Sequence, residues 1–268
     1  MLTNIISLPP GRINRSTRCT SLGLRRCVVV CLFFLKGDFM LKKLTDYFTK
    51  FELILWGASV LMIVSSFLIF DRNSYFVLTA SLIGVTSLIF IAKGNPFGQF
   101  LMIVFCLFYG VISFSFSYYG EMITYLGMSG PMAVFSMIAW LRNPYQDNKA
   151  EVKINKLSHK EIVFMSVLAL FVTTVFYFIL KAFSTANLLV STISVTTSFL
   201  AVYLSFRRSP FFAFAYAAND IVLIILWILA AMTNISYLSV IICFVVFLAN
   251  DIYGFVNWTK MHKRQINN

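Results

Sequence analysis

The side chains best able to do chemistry in this sequence lie where polar groups are most costly. Asn219-Asp220 and Asn250-Asp251 each interrupt an apolar run, and the second pair is followed by Tyr253, Asn257 and Trp258. An amide or carboxylate in such a run needs a partner, so each marks a candidate binding or permeation site. At about 100° per residue, Asn250, Tyr253, Gly254 and Asn257 share one helix face, with Asp251 and Trp258 on the adjacent one. Tyr216, Asp220 and Trp227 share a face of the preceding run, with Asn219 beside it. Amides donate and accept, which suits an amide or hydroxyl of a ligand. Tyr and Trp faces attract flat or cationic rings, and an aspartate supplies counter-charge. The expected substrate-binding set is therefore Asn219, Asp220, Trp227, Asn250, Tyr253, Asn257 and Tyr216, with Gln99, Tyr109 and Tyr118 as secondary members. Helix bridging by hydrogen bonds is the alternative for the same residues.

Other polar positions read more plainly. Trp140 and Trp258 close their runs, where Trp commonly marks the membrane interface, and both are expected as anchors. Glu121 stands near one end of its run, where water reaches it, as a gate or as surface. Two stripes of small residues, Gln99, Cys106, Gly110, Ser113 and Ser117, and Asn187, Ser191, Ser194, Ser198 and Ser205, suit close helix packing. No phosphate-binding glycine loop, HExxH or GxSxG stretch is present, so no catalytic residue, metal site or cofactor is expected. Cys19, Cys27, Cys31, Cys106 and Cys243 form no ligand or redox spacing and are read as free thiols. His159 and His262 are read as surface residues.

The elements that must position these groups follow from composition. Of 268 residues, 59% are hydrophobic and 12% charged, and the mean hydropathy is +0.83. That is an integral membrane protein. The net charge of +12 does not indicate nucleic acid, because the basic residues sit between apolar runs and act as topology signals. Eight runs are long enough to span: 51–70, 74–92, 97–117, 121–141, 161–181, 186–206, 211–231 and 236–258, here segments 1 to 8. One set of connections carries Lys42, Lys43, Lys50, Lys93, Arg142, Lys149, Lys153, Lys156, Lys160, Arg207, Arg208, Lys260, Lys263 and Arg264; the other carries Arg72 and Lys181. The positive-inside rule then places both termini in the cytoplasm. The stretch 142–160 reads as a solvated, charged linker.

An internal repeat is visible. Lys93-Gly94-Asn95-Pro96-Phe97 corresponds to Arg207-Arg208-Ser209-Pro210-Phe211, and Trp140-Leu141-Arg142 to Trp258-Thr259-Lys260. Segments 2–4 and 6–8 thus read as two parallel three-helix units with segment 5 as crossover, and a substrate site is expected between them. The expected organisation is a basic N-terminal extension (1–39), an amphipathic stretch with the first helix (40–73), bundle 1 (74–141), a cytoplasmic loop and linker helix (142–185), bundle 2 (186–258) and a basic cytoplasmic tail (259–268). Residues 1–39 differ in character from the rest. Lys36-Gly37-Asp38 can be encoded by a ribosome-binding sequence just before the Met40 codon, so a translation start at Met40 is the hypothesis.

Three stretches resemble the PnuC family of bacterial nicotinamide riboside transporters, also called nicotinamide mononucleotide transporters. They are Tyr118-Tyr119-Gly120-Glu121 with Pro131 and Trp140; Asn219 leading to Trp227; and Asn250 through Tyr253-Gly254 to Trp258 with the basic tail. The resemblance covers about residues 51–264. It implies an all-α membrane fold of two parallel three-helix bundles joined by a linker helix, as in the SWEET sugar transporters, here with one extra N-terminal helix. It also implies a homotrimer in the cytoplasmic membrane and facilitated diffusion of a vitamin precursor without ATP or an obligatory ion. Nicotinamide riboside, with its cationic ring, carboxamide and ribose, suits the candidate residues, and Asn250→Ala is expected to abolish uptake. The family often carries a Trp pair before the segment-7 Asn, where this sequence reads Phe212 and Ala215. Thiamine or another ring-bearing vitamin is the alternative substrate. A lipid-linked enzyme and a structural or sensor subunit are the rival classes.

Overall fold

With no water in the hydrocarbon to bond its backbone, an apolar run about 20 residues long has to satisfy its own peptide groups, and it does so as a helix. The computed structural model describes residues 47–72, 74–115, 118–146, 148–185, 187–232 and 235–267. The N-terminal extension and the proposed start at Met40 lie outside them, as do Cys19, Cys27, Cys31 and Ser117. Among the described residues, eight helices are long and apolar enough to cross a membrane: α1 (Lys50–Phe70), α2 (Tyr75–Ala92), α3 (Pro96–Ser115), α4 (Tyr119–Leu141), α5 (His159–Ala182), α6 (Leu188–Phe206), α7 (Phe211–Ala231) and α8 (Leu238–Asn267). They coincide with segments 1 to 8 and make this a multi-pass, nearly all-helical membrane protein.

The chain divides into two units, Met1–Leu53 and Ile54–Asn268. In the first, Thr49 and Glu52 form a reciprocal cap at the start of α1: Thr49 N–H donates to Glu52 Oε2 at 2.7 Å and Glu52 N–H to Thr49 Oγ1 at 3.2 Å. The second holds the remaining helices. In it α2 packs on α3, α3 on α4, α4 on α6, α6 on α7, α7 on α8 and α8 back on α2, so six helices close a ring. α5 packs on α6 and otherwise exposes Phe164, Phe171 and Phe178.

The two loops singled out as repeats are built alike. After α2, Gly94 N–H donates to Ile91 O, Asn95 N–H to Phe90 O and Gly98 N–H to Asn95 O. After α6, 114 residues on (95 to 209), Arg208 N–H donates to Ser205 O, Ser209 N–H to Leu204 O and Phe212 N–H to Ser209 O. Both helices therefore end in a turn with a left-handed residue just past the last helical one, Gly94 at φ 69° and Arg208 at φ 58°. Glycine takes that conformation freely; an arginine in it is held against its preference.

α4 is not a uniform helix. Pro131 has no N–H to offer the carbonyl of Gly127, and the backbone answers with a π-helical turn over Tyr125–Ser129 before α-helix resumes at Gly130.

The linker expected as a solvated stretch is partly folded into the protein. Pro144–Tyr145 (β1) pairs antiparallel with Asn148–Val152 (β2), and Val152 is fully buried. Val152 N–H donates to Gly94 O and Asn155 N–H to Arg208 O, so the hairpin and its exit strand bond to both repeated turns. The basic tail is likewise not a separate segment: α8 runs unbroken to Asn267, and Gln265 accepts from Ile154 N–H at 2.8 Å and donates to Val152 O at 3.1 Å. Arg264 pairs with Glu151, and Arg207 with Glu161.

Candidate functional site

The polar pairs of α7 and α8 fall near the middle of their helices. Asp220 lies nine residues into α7, roughly 14 Å along its axis. There the ring encloses a cavity of about 30 Å³, lined by Tyr216, Asn219 and Asp220 of α7, Asp251, Phe244 and Phe247 of α8, Tyr125 and Ser129 of α4, Met102, Phe105 and Cys106 of α3, Leu88 of α2 and Ser198 of α6. Asp220 and Asp251 are both buried on this wall, and Asp220 Oδ2 has no hydrogen-bond partner. Asn219 Oδ1 accepts from Thr197 Oγ1 at 2.8 Å and Ser198 Oγ at 2.9 Å, which leaves its N–H₂ as the group able to serve a ligand. The π-helical turn is what brings both Tyr125 and Ser129 to the wall.

An aromatic column continues from the cavity toward the end opposite the Lys/Arg-rich loops. Phe105 and Tyr109 stack at 5.5 Å, Tyr109 and Tyr125 meet at 4.4 Å, and Trp227 Nε1 donates to the Tyr109 hydroxyl at 3.0 Å. Tyr118 and Tyr237 pack on Trp227 at 5.1 and 5.5 Å. Glu121, expected within reach of water, is instead buried beside this column, with Ser194 Oγ 3.5 Å from Oε1 and no partner on Oε2. The fold of α6 over α4 removes it from solvent.

Toward the basic end of the helices stand the two tryptophans expected as interfacial anchors. Neither touches lipid: Trp140 and Trp258 are both 0% exposed. Trp140 Nε1 donates to Ser205 O of α6 at 2.9 Å, and Trp258 Nε1 donates to Ile91 O of α2 at 2.8 Å. The acceptors are themselves 114 residues apart (91 to 205), the same offset as the two repeated turns, so the indoles bond corresponding carbonyls of α6 and α2. The rings meet at 5.2 Å, with Phe212 against both. Interface placement by sequence failed here because a run's end at the membrane edge can face inward as readily as outward.

Of the expected set, the fold brings Tyr216, Asn219 and Asp220 to the cavity and Tyr109, Tyr118 and Trp227 to the column above it. Asn250, Tyr253, Asn257 and Gln99 do not line the cavity. Asn250 Nδ2 donates to Ser59 Oγ of α1 and to Val246 O, Asn257 Nδ2 to Ala92 O of α2, and Gln99 Nε2 to Ser205 Oγ of α6. These are helix-bridging bonds. Tyr253 is half-buried on α8. The sequence reading set Asp251 beside the principal face of segment 8, yet it is the α8 residue that meets Asp220. Tyr125, Ser129 and the phenylalanine walls were not anticipated. The interruption Gly127-Met128-Ser129-Gly130-Pro131 inside an apolar run was the one available signal for the first two.

Eight membrane-length helices, six of which ring an acid, amide and aromatic cavity, define a multi-pass membrane protein of the solute-carrier kind. The nicotinamide mononucleotide transporter family model matches residues 74–260, and the chain belongs to that family. It is 25% identical over 227 residues to the nicotinamide riboside transporter PnuC of Neisseria mucosa, covering 83% of this chain and 86% of that one. To the protein of the same name from Haemophilus influenzae it is 24% identical over 193 residues, covering 72% and 82%. A crystal structure of the vitamin B3 transporter PnuC superposes with a TM-score of 0.71 at 23% identity, covering 81% of this chain and 94% of that one.

Proposed function

We propose that this protein carries nicotinamide riboside across the cytoplasmic membrane by facilitated, alternating-access diffusion. The observation that supports it most is the enclosed cavity where Asn219 and Asp220 meet Asp251 under Tyr125 and Phe244, in a chain whose relatives bear that substrate in their names. The carboxylates offer counter-charge to a pyridinium, the tyrosine and phenylalanine faces offer it a stacking surface, and the Asn219 N–H₂ suits a carboxamide or ribose oxygen. Pockets for such solutes run to about 300 Å³ or more, whereas this cavity has room for about one or two waters. The structure is thus read as a closed state that must open to load. The Trp140–Trp258 pair serves as the gate at one end and the Trp227–Tyr109 pair as the gate at the other.

The same reading takes α2–α4 and α6–α8 as two parallel bundles joined by α5, with α1 added. The matching turns after α2 and α6 and the reciprocal tryptophan bonds support it. The Lys/Arg asymmetry supports cytoplasmic termini, and assembly as a homotrimer is carried over from the family resemblance. Thiamine remains the second substrate, because its thiazolium would meet the same counter-charge. The replaced tryptophan-pair position Phe212 packs on Trp140 and Trp258 and does not discriminate between them. Purified protein in liposomes, given radiolabelled nicotinamide riboside or thiamine, decides. Saturable uptake of the riboside, not driven by ATP, is expected; preference for thiamine would reassign the substrate.

A further inference from the structure

Buried polar groups normally find a partner, so a gathering of those that do not calls for a reason. Among the described residues, three such side-chain oxygens lie around the first turn of α4: Ser113 Oγ, Thr185 Oγ1 and Glu121 Oε2. The Ser113 carbonyl takes Tyr118 N–H at 2.8 Å, and a Cβ on Gly120 would stand 3.3 Å from Thr185 Oγ1. Glu121 is the sharpest case. It is 3% exposed, its Oε1 has only the Ser194 hydroxyl of α6 at 3.5 Å, and among the described residues no Lys or Arg pairs with it. A carboxylate taken from water with no basic residue to answer it needs compensation from elsewhere.

Two helices relate this group to the cavity. On α4, Tyr125 follows Glu121 at i+4, on the same face and roughly 6 Å along the axis, and lines the cavity. On α6, Ser198 stands one turn from Ser194 and lines the same cavity, where its hydroxyl donates to Asn219 Oδ1. The Glu121–Ser194 contact is therefore the next polar level of the α4–α6 seam, on the side away from the Lys/Arg-rich loops. The aromatic column flanks it, with Tyr109 on Tyr125 at 4.4 Å and Tyr118 on Trp227 at 5.1 Å.

We propose that Glu121 is a second cation subsite on the route of the solute, one helical turn from the central cavity. A positively charged aromatic ring arriving from the end opposite the basic loops meets this carboxylate and the tyrosine faces first, then Asp220 and Asp251. The unpartnered Ser113 and Thr185 hydroxyls are donors and acceptors of the kind a ribose uses. The inference rests on reading the cavity as the substrate site. It asks for no coupled ion: the carboxylate answers the solute's own charge and is vacated as the solute moves on, as facilitated diffusion requires.

The test is uptake of radiolabelled nicotinamide riboside by proteoliposomes carrying the full chain with Glu121→Gln or Glu121→Asp, beside the melting temperature of each protein in detergent. Glu121→Gln keeps the shape and an acceptor for Ser194 but removes the charge. It should raise the KM about tenfold or more with Vmax little changed, and Glu121→Asp should recover most of that loss. Without solute, Glu121→Gln should melt no lower than the unaltered protein, because the carboxylate it replaces had no basic partner. A KM unchanged by Glu121→Gln would overturn the inference and leave the transport reading standing. A Glu121→Gln protein that melts lower or fails to fold would also overturn it, by marking the carboxyl group as structural. Thiamine, also cationic, is read in the same way if it is the solute taken up. Failure of the unaltered protein to take up either one would overturn the transport reading and the inference together.

Discussion

At the scale of single residues, the sharpest contrast is between Asn219 and Asn250. Both are amides buried in apolar helices. Asn250 uses its N–H₂ on Ser59 and on Val246 O, whereas Asn219 uses its oxygen on two α6 hydroxyls and keeps its donors at the cavity. Replacing Asn219 by Ala is therefore expected to raise the KM for uptake tenfold or more, the loss of about 1–3 kcal/mol of hydrogen bonding to a ligand, with normal membrane expression. Proteoliposome kinetics check it. Asn250→Ala should act first on stability, seen as a lower melting temperature in detergent, because it removes a tie between α8 and α1. The two tryptophans make a second residue-level case. Trp140→Phe and Trp258→Phe each keep a ring but strip a donor from a buried carbonyl, at a cost of about 1–3 kcal/mol. Since the rings touch, a double-mutant cycle should show non-additivity of at least about 0.5 kcal/mol.

At the scale of elements, close approach of α2 and α3 depends on Gly98. A Cβ there would stand 2.6 Å from Ile91 N and 2.9 Å from Ser87 O, both backbone atoms that cannot step aside. Ser87 Oγ uses the same approach to donate to Gly98 O at 2.8 Å. Gly98→Ala should force the helices apart and cost about 1–3 kcal/mol, read as a fall in apparent melting temperature. The β1–β2 hairpin is an element of another kind, tied by Val152, Asn155 and Gln265 to both repeated turns and to the end of α8. Removing the Gln265 side chain (Gln265→Ala) deprives Ile154 N–H of its acceptor. Hydrogen exchange should then speed up at Ile154, with amides within the membrane helices unchanged.

For the whole molecule, a cavity of 30 Å³ is too small for the proposed solute, so transport as proposed requires the aromatic contacts at one end to break while those at the other hold. Spin labels at Arg142 and Lys260, beside the Trp140–Trp258 pair, should show a distance distribution that shifts or broadens when nicotinamide riboside is added. An unchanged distribution would place the moving parts elsewhere. The orientation is testable on the same scale: cysteines introduced at Lys153 and Lys263 should react with an impermeant maleimide only from the cytoplasmic side, and one at Ser184 only from outside.

Much of this architecture follows from one-dimensional information. Eight helices are legible because a spanning segment must be long and apolar whatever surrounds it, and Lys/Arg asymmetry and the repeated loop motifs are likewise local. Which polar residues meet is not local. Asn250, Asp251, Tyr253 and Asn257 lie within little more than two turns of α8, and only the rotation of that helix against α7, α2 and α1 decides that Asp251 faces Asp220 while Asn250 and Asn257 bind neighbouring helices. The inward turn of Trp140 and Trp258 was hidden for the same reason: amphipathic position along the chain records depth, and burial depends on neighbours. By itself the sequence determined a multi-pass membrane protein with costly polar groups in its last two helices. Tertiary packing alone decided that Asp220 and Asp251 line one cavity, because it is formed by side chains 31 residues apart (220 to 251) on different helices.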